Sequence, residues 1–158
     1  MMLNAGQATL RHHDVLRDLQ GRTVSRCSVD AGFCLEFLED SEATTIRIEG
    51  AFRVRSDEQE REFSPARHVD LGPALDLIGK TVAEATVGHD GSLDVRFADG
   101  TRLMVAADAR FEAWELTAPG GRLIVSLPGG GAATWGAETP EDANGGLTVS
   151  TSPRRRDP

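Results

Sequence analysis

Two residues apart in the stretch FEAWEL stand a carboxylic acid, Glu112, and an indole, Trp114. A carboxyl held in apolar surroundings titrates above its ordinary range and can donate or accept a proton near neutral pH. A strand that sets Glu112 on one sheet face with Trp114, Leu116 and Val125 would therefore make Glu112 a candidate catalytic acid or base. Glu112, Trp114 and the later Trp135 are the candidate binding residues. The bland alternative for Glu112 is a rim glutamate at a strand end, free in water. No second carboxylate can be assigned to the same face, so a paired acid-base mechanism has no support.

Other residue types that could do chemistry lack the spacing for it. The four histidines, His12, His13, His68 and His89, show no metal-ligand pattern; His12 and His13 are neighbours on an expected helix and point about 100 degrees apart. The loops DAG, HDG and ADG carry aspartates but not the dense run of oxygen ligands that calcium requires, and turn chemistry accounts for them. No GxSxG nucleophile motif occurs. The segment PGGGAATW follows a strand, as a phosphate loop would. A phosphate loop also needs a helix to start at once after the glycines, so that amides and helix dipole face the anion. Here Ala132 to Trp135 is short and lacks Lys-Ser or Lys-Thr, so the glycines are read as a bend leading to a last short strand that ends in Trp135. No metal and no cofactor are expected.

The elements that would position these residues follow from a repeat. Leu19 to Val29 reads LQGRTVSRCSV and Leu77 to Val87 reads LIGKTVAEATV, with Leu, Gly, a basic residue, Thr, Val and a final Val recurring 58 residues apart. The match continues from FCLEFLED at Phe33 to LDVRFADG at Leu93, at a spacing of 60. In the second copy a three-residue loop, His89, Asp90 and Gly91, sets Val87 opposite Leu93, Ala85 opposite Val95 and Ala83 opposite Phe97, each pair apolar. Asp30, Ala31 and Gly32 play the same part in the first copy, and Ala98, Asp99 and Gly100 turn the chain into a third strand. This register places Cys27 and Cys34 on opposite faces, too far apart for a disulfide. Both are expected as reduced thiols, with no basic neighbour marked in the sequence.

A helix capped by Thr9 is expected to run to about Leu19, with Leu10, Leu16 and Leu19 on one side. A short helix, Ala74 to Ile78, is expected between the copies, opened by Pro73 and closed by Gly79. Near the C-terminus a four-residue loop, Ala118 to Gly121, is expected to set Leu116 opposite Leu123 and Trp114 opposite Val125. The resulting fold class is mainly β, within α+β: two related antiparallel meanders forming a sandwich or a partly open barrel. One domain is expected over 1–136, with pseudo-repeats at about 19–56 and 77–116 and a C-terminal hairpin at 111–136. The polar, glycine-rich stretch 137–158 is expected to be a disordered tail.

Composition narrows the partners. Twenty-five acidic against 17 basic side chains give a formal charge of −8, which opposes non-specific binding to nucleic acid and suits basic partners. The chain has six Phe, two Trp and no Tyr, few aromatic platforms for single strands. No run approaches the roughly 20 apolar residues of a membrane span, and the N-terminus lacks the pattern of a secretory signal. A cytoplasmic location is expected, with no nucleic acid and no membrane as partner.

Several of these elements together resemble a known pattern. Leu77 to Val82, Gly91 to Gly100, Phe111 to Leu116, Leu123 to Gly131 and Trp135 resemble a family of small bacterial proteins known as a domain of unknown function. The resemblance covers about Leu19 to Gly136, and its most specific parts are the Glu-Ala-Trp and Pro-Gly-Gly elements. Where the family's first copy often carries Asp-Gly, this chain has Glu39, Asp40 and Ser41, read as a longer loop. The resemblance implies the fold and no activity.

With no catalytic constellation in view, the expected function is a non-catalytic protein-binding module of the immunity or regulatory kind, bound to another protein. Two alternatives stand beside it: a small-ligand-binding protein or enzyme using Glu112 near Trp114, and a homo-oligomeric structural protein in which strand edges pair across a two-fold axis as a homodimer.

Overall fold

The computed structural model describes residues 15–136. The expected cap at Thr9 and the stretch 137–158 lie outside the described residues. Eleven strands follow one another: β1 (Arg26–Val29), β2 (Phe33–Glu39), β3 (Glu42–Ile48), β4 (Phe52–Ser56), β5 (Gln59–Phe63), β6 (Val82–Val87), β7 (Leu93–Phe97), β8 (Arg102–Val105), β9 (Trp114–Ala118), β10 (Arg122–Ser126) and β11 (Ala132–Trp135). They form two antiparallel sheets, ordered β1-β2-β3-β9-β10-β11 and β5-β4-β8-β7-β6. The inner faces meet in one apolar core, where Phe33 of the six-stranded sheet stacks on Phe52 of the five-stranded sheet with ring centroids 5.1 Å apart. The fold is a β sandwich, which settles the choice between sandwich and barrel. Among the described residues no helix is long and apolar enough to cross a membrane.

Each half of the chain lays a three-strand meander in one sheet and then crosses to the other. β1 to β3 lie in the six-stranded sheet while β4 and β5 cross over; β6 to β8 lie in the five-stranded sheet while β9 to β11 cross back. The two crossings touch where the amides of Glu49 and Gly50 both donate to the Ala113 carbonyl, at 2.8 and 3.0 Å. A Cβ on Gly50 would lie 3.1 Å from the Ala113 Cβ, so the close approach favours glycine.

The repeated Leu-x-Gly-basic-Thr-Val segments pair with each other and stand largely outside the hairpins. Gly21 N donates to Val82 O at 2.8 Å, and Gly79 N to Val24 O at 2.9 Å; Val24 N donates to Lys80 O at 2.9 Å, and Val82 N to Arg22 O at 2.8 Å. Each bond maps onto its mate by the repeat spacing. At the centre the hydroxyls of Thr23 and Thr81 lie 2.8 Å apart.

The hairpin registers largely follow the apolar pattern. Val29 faces Phe33 and Cys27 faces Leu35; Val87 faces Leu93 and Ala85 faces Val95, with Gly91 at φ +87 in the turn. Four expectations need correction. A bulge between Val82 and Glu84 puts Val82, not Ala83, opposite Phe97. The loop after β2 is a two-residue turn, Asp40 and Ser41, because Asp40 takes φ +57 and Glu39 faces Glu42. In the C-terminal hairpin Ala118 faces Arg122 and Leu116 faces Ile124, so the loop has three residues. Gly120 and Gly121 both take positive φ there (+83 and +76), a tighter reversal than other residues allow. Every residue of LIV is apolar, so periodicity could not choose the register. Finally, the connecting helix is a 3-10 helix spanning His68–Leu77 with Pro73 inside it. Its buried residues Leu71, Ala74 and Leu77 recur every three positions, the period of a 3-10 helix.

Residues 15–19 are helical, with Val15, Leu16 and Leu19 buried in the core. An ion pair at 2.5 Å between Asp18 and Arg122 fastens this turn to β10.

Candidate functional site

Of the three residues singled out as a binding surface, Glu112 and Trp114 border one small recess, and Trp135 lies apart from it on β11. Trp114 starts β9 on the inner face and is 1% exposed. Its indole N–H donates to the Gly91 carbonyl at 2.9 Å, which also accepts from the Ser126 hydroxyl at 3.0 Å. Trp135 lies opposite Leu123 on the outer face of β11, half exposed. Glu112 precedes β9, is exposed, and shares no strand face with Leu116 or Val125. The apolar setting expected around Glu112 is therefore absent. It borders a recess of about 30 Å³ with Arg47, Glu49, Trp114 and Glu115. There Arg47 is gripped by Glu49 and Asp30, each at 3.0 Å, so the recess is bordered mainly by charged side chains tied to one another.

The glycine cluster serves packing. A Cβ on Gly91 would lie 2.5 Å from the Gly131 carbonyl oxygen, so the HDG turn and the PGGG loop meet backbone to backbone. Gly131 O accepts from Leu127 N at 2.9 Å, and Gly129 N donates to Asp108 O at 2.8 Å. These groups are spent on the protein itself.

Both cysteines are free. Burial, and then the charge of Cys34, push the Cys27 thiol up to about 11. Cys34 faces outward opposite Arg47, whose guanidinium donates to its sulfur at 3.4 Å. The basic neighbour that sequence spacing does not reveal thus comes from the next strand. Among the described residues no group of three or more His, Cys, Asp or Glu side chains could hold a metal ion.

A row of charged side chains crosses the outer face of the five-stranded sheet. Strand pairing sets Glu84 opposite Arg96, Arg96 opposite Arg102, Arg102 opposite Arg55 and Arg55 opposite Glu60. Three guanidiniums thus stand abreast on β7, β8 and β4, with a carboxylate at each end of the row. Like charges directly opposite one another weaken a sheet. Arg96 is relieved by Glu84 at 2.7 Å and Arg102 by Asp94. Arg55 pairs with no carboxylate among the described residues, because Glu60 is taken by Arg53 at 3.2 Å. Beside the row an open groove of about 300 Å³ is lined by Glu84, Thr86, Asp94, Arg96 and Arg102. Sequence reading missed this feature. FRVRS and DVRFADGTR carry only alternating arginines, and the row exists once β4, β8 and β7 are neighbours.

Fold and surface define a β-sandwich domain whose five-stranded sheet carries a charged outer face. The chain belongs to the Family of unknown function (DUF6188), whose model matches residues 15–136. No curated protein and no solved structure matches it.

Proposed function

We propose that this protein is a non-catalytic protein-binding module, of the immunity or regulatory kind, and that it meets its partner on the outer face of the five-stranded sheet. One observation carries the reading: Arg96, Arg102 and Arg55 abreast, with Arg55 unpaired among the described residues. Like charges side by side weaken the sheet, and the row becomes more favourable when carboxylates arrive, since arginine forks bind carboxylates in pairs of hydrogen bonds. The row runs from acid through three bases to acid, so the complementary partner sets a carboxylate between basic side chains. A partner that is basic overall also suits the formal charge of −8, which steers its approach. In this reading the repeat is an internal duplication, whose second copy supplies Arg96 and Arg102 and whose first copy supplies Arg55.

Capture of tagged protein from its native lysate at about 150 mM salt, where surface charge is partly screened, tests this. One stoichiometric protein partner is expected, with Arg55→Glu and Arg102→Glu each lowering its recovery roughly ten-fold or more and Trp135→Ser leaving it unchanged. Recovery that survives both reversals, or no partner at all, overturns the reading.

A further inference from the structure

The two sheets can be compared row by row. On the six-stranded sheet an inner-face row runs Leu35, Ile46, Leu116, Ile124, and all four are 0% exposed. The matching row of the five-stranded sheet runs Val95, Leu103, Val54, Arg61. Its fourth place, on an inward-facing strand position, holds a cation where the other sheet holds a buried isoleucine. β10 is covered by β11, whereas β5 is a sheet edge. The sandwich is therefore open at β5, and a cleft of about 170 Å³ lies between that strand and the 3-10 helix.

Val54, Phe63, Pro73 and Leu77 form apolar walls of this cleft, Arg61 and Lys80 bring cations to it, and Asp76 brings one carboxylate, on the Lys80 side. Lys80 is held in place by Asp99 at 2.6 Å and by Asp76 at 3.7 Å. Arg61 makes no ion pair with any of the described residues. An apolar pocket with a few convergent polar groups is the usual form of a small-molecule site. The volume equals about six waters of liquid, enough for a short alkyl chain.

We infer that this cleft binds a small amphipathic monocarboxylate, its alkyl body against Val54, Phe63 and Leu77 and its carboxylate on Arg61. The inference goes beyond the docking surface and stands without it, because the cleft opens on the inner side of the sheet and the arginine row lies on the outer side.

Titration of the full-length 15N-labelled protein with sodium hexanoate, followed by amide shifts, tests it. Sodium chloride at matched ionic strength and hexan-1-ol serve as controls. Saturable shifts are expected at Val54, Phe63, Leu77 and Lys80, with hexan-1-ol at least about ten-fold weaker, the scale of one charge-assisted contact. Arg61→Met, which keeps the apolar stem at an exposed position, is expected to weaken hexanoate to the level of the alcohol while leaving the thermal midpoint unchanged. Arg61→Lys is expected to restore part of the affinity. Shifts that never saturate, equal binding of acid and alcohol, or an undiminished response in a folded Arg61→Met protein each overturn the inference.

Discussion

Cys27 shows what one side chain's direction decides. It lies on the inner face, partly covered by the core, while its neighbour Cys34 points outward beside Arg47. Burial holds the Cys27 thiol neutral by raising it from 9.0 to about 11. A folded value above the unfolded one means that this preference for the folded state is fully present below about pH 9 and is lost as pH rises through 11. Since the thiolate is the reacting species, Cys27 alkylates slowly in the native protein at pH 8. The expected rate is roughly ten to a hundred times below that in urea, as two units of thiol shift imply. Site-resolved mass spectrometry checks this, and equal native and urea rates would show that the thiol is not buried as described.

At the scale of elements, the contact between the HDG turn and the PGGG loop ties the end of one sheet to the other. Gly91 combines φ +87 with contact against Gly131 and accepts from both Trp114 and Ser126. Gly91→Ala is expected to cost about 2–4 kcal/mol, from the left-handed backbone and the displaced loop. Trp114→Phe removes a buried hydrogen bond and core volume, and should cost about 1–3 kcal/mol, with Ser126 still satisfying the Gly91 carbonyl. Urea unfolding measures both. A Gly91→Ala midpoint equal to that of the parent would mean that the turn and the loop do not meet.

For the whole molecule, each sheet is built from both halves of the chain. β3 pairs with β9, β4 with β8, and the repeat segments clasp each other through reciprocal backbone bonds. Neither half can complete a sheet or cover its inner face alone, so the domain should unfold in one transition. Tryptophan fluorescence, which includes buried Trp114 of the six-stranded sheet, and far-UV circular dichroism should trace the same denaturation curve. Separate transitions would show that the halves are independent units.

Much of this was legible along the chain. The hairpins at Asp30 to Gly32, His89 to Gly91 and Ala98 to Gly100 could be set in register because apolar residues alternate around turn residues of known chemistry, and that register alone separated the cysteines. The family elements and the late strand ending at Trp135 were readable for the same reason, since they are local patterns. The β4–β5 hairpin was missed, as QEREF is polar on both faces until Phe63. The 3-10 helix was placed too late because its every-third-residue pattern was read around Pro73 and not through it. What the tertiary structure decided is which strands become neighbours. Local periodicity says which way a side chain points relative to its own strand, but not what stands opposite on a strand distant in sequence. That is why Glu112 and Trp114 looked like residues of one half-buried face, whereas in the fold Trp114 is buried in the core and Glu112 stands exposed ahead of the strand. It is also why the arginine row and the cation at Arg61 came into view only when the two halves crossed between the sheets.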